Sequence, residues 1–175
     1  MTINNFLHIS LLTLLLLTQG CINDKEESPD QTTLVKIGEV APDFEVTMSN
    51  GDEVCLSELQ GKKVLLTLWD PECPTCRKEM GVVQEKILDR VQADDFVYLP
   101  IARGCDLNKV KDFLTSNNLL FPAGADPDRR IYSLYATLYV PRSFVIDQHG
   151  VVRHSAVEYE LSHLDEIVKI INALK

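Results

Sequence analysis

Apolar and polar residues alternate along Phe44-Glu45-Val46-Thr47-Met48, break at Ser49-Asn50-Gly51-Asp52, and resume through Glu53-Val54-Cys55-Leu56. Period two on both sides of a glycine-containing turn predicts a β-hairpin. Ser57-Glu58-Leu59-Gln60-Gly61 then reads as one helical turn closed by glycine. Val64-Leu65-Leu66-Thr67-Leu68-Trp69 lacks alternation, as expected of a central strand buried on both faces. Pro74 follows in a first helical turn, where its missing N–H costs little. Met80, Val83, Ile87, Leu88 and Val91 then recur at helical spacing. Residues 96–102 form a second buried strand, and Val110, Phe113 and Leu114 mark a helix between 107 and 117. Residues 143–147, the turn Gln148-His149-Gly150 and residues 151–155 predict strand, tight turn and strand. The last helix carries Leu164, Ile167, Val168, Ile171 and Leu174 on one face, with Ser162 as its expected cap. The order predicts one α/β domain over 38–175, a central mixed sheet flanked by helices with an N-terminal hairpin extension.

The 175 residues, 45% hydrophobic and 25% charged, suit one domain with a full core. A net charge of −9 and the lack of any basic run argue against nucleic acid, whose phosphates repel such a surface.

The first twenty residues contain no Asp, Glu, Lys or Arg, and Ile9-Ser10-Leu11-Leu12-Thr13-Leu14-Leu15-Leu16-Leu17 is apolar. That run is too short to span a bilayer but fits the h-region of a signal peptide. Leu17-Thr18-Gln19-Gly20-Cys21 resembles the lipobox of bacterial lipoproteins. The resemblance implies a signal peptide over 1–20 and a lipid on Cys21, which would anchor the protein in the cell envelope, facing periplasm or cell surface. Residues 21–37 read as a polar, acidic tether. Export places the chain where disulfides persist, and makes an electron donor in the membrane necessary.

Cys73-Pro74-Thr75-Cys76 stands between the apolar strand and the following helix. Two sulfurs within one helical turn can close and open a disulfide. The first sits at the helix N-terminus, where free N–H groups and the dipole favour the attacking thiolate. A Cys-x-x-Cys can also be half of a zinc site, but no second pair at ligand spacing follows. Redox chemistry is the leading reading, and a copper- or metal-binding module is the alternative of a different class.

Trp69-Asp70-Pro71-Glu72-Cys73-Pro74-Thr75-Cys76 resembles the active site of thioredoxin-fold proteins. Val140-Pro141-Arg142-Ser143-Phe144-Val145-Ile146-Asp147-Gln148-His149-Gly150 resembles the later stretch of that family, and Gly38 to Phe44 with the hairpin resembles its TlpA/ResA-like redoxin branch. The likeness implies a thiol–disulfide oxidoreductase acting on disulfide-containing exported proteins, most plainly as a reductant. It implies Cys73 as nucleophile, Cys76 as resolving thiol, Cys73–Cys76 as the redox-active disulfide, Pro141 as a cis-proline, and Trp69, Val140 and Pro141 as substrate contacts. No cofactor is expected, and no metal. The same fold also hosts peroxiredoxins, but their peroxide-orienting Thr or Ser is replaced here by Asp70, and Arg142 stands one residue from their arginine. Thr67 occupies the position of thioredoxin's buried Asp. The acid–base partner of Cys76 is therefore unassigned: Glu72 and Glu79 are near in sequence, and both are expected to be solvated. Cys105 is expected at the same sheet edge as Cys73, either as a free thiol, as a third redox thiol or paired with Cys55.

Overall fold

The structure is a computed structural model that describes residues 28–175. The signal segment and Cys21 lie outside the described residues. Five strands form one sheet in the order β5-β4-β3-β6-β7: β3 is Lys63–Trp69, β4 Phe96–Arg103, β5 Gly124–Asp126, β6 Arg142–Ile146 and β7 Val152–Val157. β3, β4 and β5 run parallel, whereas β6 and β7 are antiparallel to their neighbours. Every residue of β3 is buried, as its unbroken apolar run demands.

Side chains of β3 leave it on alternate faces. Val64, Leu66 and Leu68 join a core with Phe44, Val46, Tyr132, Tyr135 and Phe144. That face is covered by the hairpin β1 (Glu45–Thr47) and β2 (Glu53–Cys55) and by the short α3 (Tyr132–Tyr135). Leu65 and Trp69 join a second core with Met80, Val83, Val110, Leu164 and Ile171. Those residues belong to α1 (Pro74–Val83), α2 (Leu107–Ser116) and α4 (Leu161–Ala173). The hairpin crosses β5 so closely that a Cβ on Gly124 would come within 2.5 Å of Val46 Cγ2.

Three features differ from the sequence reading. The face of α1 is continued by a widened turn, Gln84–Leu88, in which the Asp89 N–H donates to the Gln84 carbonyl at 2.9 Å and which keeps Ile87 buried. Ser162 does not cap α4: Leu161 is already helical, and the Ser162 hydroxyl turns to the Glu160 carboxylate at 3.2 Å. The expected tether joins the fold well before Gly38, since Thr32 and Val35 are buried.

Candidate active site

The mixed sheet brings two distant stretches to one edge. β3 ends at Trp69, and β6 runs back against it with Leu68 opposite Arg142. The residues after β3 and those before β6 therefore meet. Between them lie Cys73 on one side and the cis Val140–Pro141 peptide on the other. The Cys73 thiol donates to the Val140 carbonyl at 3.6 Å.

The turn Asp70-Pro71-Glu72 is tied by Glu72 N–H to Asp70 Oδ1 at 2.9 Å and Cys73 N–H to the Asp70 carbonyl at 3.0 Å. Cys73 is the N-cap of α1, and its sulfur accepts from the Cys76 N–H at 3.4 Å. Sulfur here takes the place of the oxygen that usually satisfies a helix's free N–H groups. The Thr75 hydroxyl lies 3.1 Å from the same sulfur. Burial opposes the Cys73 thiolate, but hydrogen bonds from the Cys76 thiol, the Thr75 hydroxyl and the two backbone N–H groups outweigh it, and hold the thiol below its ordinary pKa.

Cys76 is the opposite case. It is 0% exposed, and burial, the hydrogen bond to Cys73 and the nearby Glu79 charge push its pKa well above that of an ordinary thiol. Both thiols are free in this structure. Cys76 stays protonated until something removes its proton.

Glu79 lies three residues further along the same helix and is 3% exposed. Burial raises its pKa to about 7, opposed by a hydrogen bond from Ser143. The Ser143 hydroxyl reaches Glu79 Oε1 at 3.4 Å and Thr67 Oγ1 at 3.2 Å. The expectation of two solvated carboxylates holds for Glu72, which is exposed and pairs with Lys109 at 2.9 Å. It fails for Glu79. Spacing gave only part of the signal: i and i+3 on a helix share a face, so Glu79 follows Cys76, but packing against the sheet decides that this face is the buried one.

Trp69, expected to touch substrate, is 0% exposed and packs on Phe113 with ring centroids 4.8 Å apart. It supports the site from below and offers no contact surface. The Val140–Pro141 peptide is cis, and its Val140 carbonyl lies beside the Cys73 sulfur. Cys105 does share the edge, since Trp69 pairs with Ala102 three residues before it, but it is buried and burial raises its pKa to about 11. Cys55 belongs to the hairpin on the other face, with its thiol 3.6 Å from the Asp43 carboxylate. The two are free and lie on opposite faces of the sheet, so they do not pair. Among the described residues no helix is long and apolar enough to cross a membrane.

Residues 37–155 match the AhpC/TSA family. The chain is 33% identical over 136 residues to thiol-disulfide oxidoreductase ResA of Bacillus thuringiensis (strain Al Hakam), covering 78% of this chain and 74% of the relative. The solution structure of a candidate protein disulfide isomerase from Bacteroides thetaiotaomicron superposes with a TM-score of 0.76 at 34% identity, covering 82% and 92% of the two chains. Peroxidoxin BcpB of Mycobacterium tuberculosis shares the fold at a TM-score of 0.65 and 18% identity, over 81% and 99%. Fold alone thus leaves peroxidase and disulfide chemistry together, and the relatives of higher identity separate them. The chain belongs to the AhpC/TSA family and, within it, to the thiol–disulfide oxidoreductases related to ResA.

Proposed function

We propose that the protein reduces disulfides in exported proteins, with Cys73 as nucleophile, Cys76 as resolving thiol and Glu79 as the acceptor of the Cys76 proton. The Cys73 thiolate attacks one sulfur of a client disulfide. The client S–S bond breaks, its second sulfur leaves with the electron pair and takes a proton, and a mixed disulfide forms. Cys76 then gives its proton to the Glu79 carboxylate and attacks the Cys73 sulfur. The Cys73–client S–S bond breaks, and the client sulfur held in it leaves with the electron pair and takes a proton. The client is reduced by two electrons, and Cys73–Cys76 closes as a disulfide. The client main chain is received by Val140, ahead of Pro141, where the Cys73 sulfur already faces a carbonyl.

The observation that carries this reading is the asymmetry of the two thiols. One is half-buried with a lowered pKa, and the other is fully buried with a raised one. An attacking thiol needs exposure and thiolate character; a resolving thiol must stay silent until a mixed disulfide has formed. Peroxidase chemistry is disfavoured because Asp70 precedes Cys73 by three and Arg142 turns to the other face of the sheet.

The N-terminal sequence supports export and a lipid on Cys21, and an electron donor in the same membrane would restore the dithiol. An insulin-reduction assay with dithiothreitol tests the function. Wild type is expected to accelerate reduction, and Cys73→Ser to fall to the uncatalysed dithiothreitol rate. A wild type that fails to exchange with any disulfide, or that holds stoichiometric metal on its cysteines, overturns the reading.

A further inference from the structure

Arg142 is 0% exposed, and the reaction above makes no use of it. A buried guanidinium is costly to desolvate, yet its hydrogen bonds to Leu138, Thr32 and Thr33 all end on neutral oxygens. Nε and Nη2 both donate to the Leu138 carbonyl, at 2.9 and 2.7 Å. Nη1 donates to Thr33 Oγ1 at 2.6 Å and Nη2 to Thr32 Oγ1 at 2.5 Å. The two hydroxyls in turn donate hydrogen bonds to the Pro29 carbonyl, at 2.8 and 2.9 Å. Backbone pairing continues the join: Thr137 N–H donates to the Thr32 carbonyl at 3.0 Å and Leu34 N–H to the Tyr135 carbonyl at 2.9 Å.

One side chain thus links the N-terminal arm, the loop 136–141 and the start of β6. That loop carries Val140, whose carbonyl faces Cys73. Only a planar fork of N–H donors meets one carbonyl twice and two hydroxyls at once. Alternation along β6 keeps this link apart from the thiol chemistry. Arg142 lies opposite Leu68 and shares its face, whereas the next residue, Ser143, turns to Glu79 on the α1 side.

We propose that Arg142 is a positioning residue for client binding: it clamps the Leu138–Pro141 loop to Thr32 and Thr33, so that Val140 is held ready to pair with the client main chain beside Cys73. The proposal rests on the thiol-exchange reading and adds what fixes the docking loop. A small disulfide without a main chain has nothing to pair with Val140, so it does not depend on the clamp.

Two full-chain variants test this. Thr32→Val/Thr33→Val removes both hydroxyl acceptors while keeping the branched shape, and Arg142→Lys keeps the charge without the fork. Second-order rates are measured with a cystine-bridged peptide and with a small aromatic disulfide, alongside amide hydrogen exchange across 136–141. The peptide rate is expected to fall about tenfold and the small-disulfide rate to stay within about twofold, with faster exchange in the loop. An unchanged peptide rate, an equal fall for both reagents or unchanged loop exchange overturns the proposal. If wild type reacts with neither disulfide, the thiol-exchange reading fails by itself, and loop exchange alone then decides whether Arg142 holds the loop.

Discussion

The turn ahead of Cys73 and the inner face of α1 behind it each place a carboxylate near a thiol, and they do so in opposite environments. Glu72 is in water, paired with Lys109, and its pKa lies below the ordinary carboxylate value because of that partner. Glu79 is in the core with one hydroxyl partner, and its pKa is raised to about 7. A carboxylate ionised throughout the physiological range is a poor proton relay, because its affinity for the proton is too low. A buried one poised near neutrality can accept a proton and release it again. Burial, rather than distance along the chain, makes the difference.

The largest break in this contrast is Glu79→Gln. Resolution of a mixed disulfide by Cys76 is expected to slow about a hundredfold, the low end of general-base contributions, and the inflection near pH 7 should vanish from the rate profile. Stopped-flow release of a client thiol measures both. Glu72→Gln should leave the same rate within about twofold; an equal loss in the two variants removes the distinction.

Stability should move the other way. Folded Glu79 holds its proton more tightly than the unfolded chain does, so its contribution is fully present below the unfolded pKa of 4.5 and is lost as pH rises to about 7. Relative to wild type, Glu79→Gln is expected to gain roughly 3 kcal/mol between pH 4 and 8, read from denaturant melts at both pH values. A constant difference across that window contradicts the assignment.

Ser143→Ala removes the hydrogen bond that holds the Glu79 pKa down. The inflection in the rate profile should therefore move to higher pH, by less than the effect of removing the carboxylate. The smallest effect belongs to Lys109→Ala, which leaves Glu72 without its surface partner: melting temperature and activity should match wild type.

Long elements were legible in the sequence because their periodicity is long. The continuous run of β3 and the apolar stripe of α4 could belong to little else. β5 and α3, of three and four residues, are too short to show a period, and the stretch around them went unassigned. The site was legible wherever chemistry leaves a local mark: Cys73 and Cys76 at a strand–helix junction, Pro141 before a strand. What decides Glu79 and Arg142 is tertiary. The inward face of α1 and the pairing of β6 with β3 determine which charged residue is buried, and no window around either residue contains that information. The arm at Thr32 and Thr33 was read as tether for the same reason, since the partner that holds buried Thr32 and half-buried Thr33 lies about a hundred positions away.

Trapping the mixed disulfide tests the central claim most directly. Cys76→Ser, incubated with a cystine-bridged peptide and digested under non-reducing conditions, should yield one stable adduct, mapped by mass spectrometry to Cys73. An adduct on Cys55 or Cys105 instead, or none at all, contradicts it.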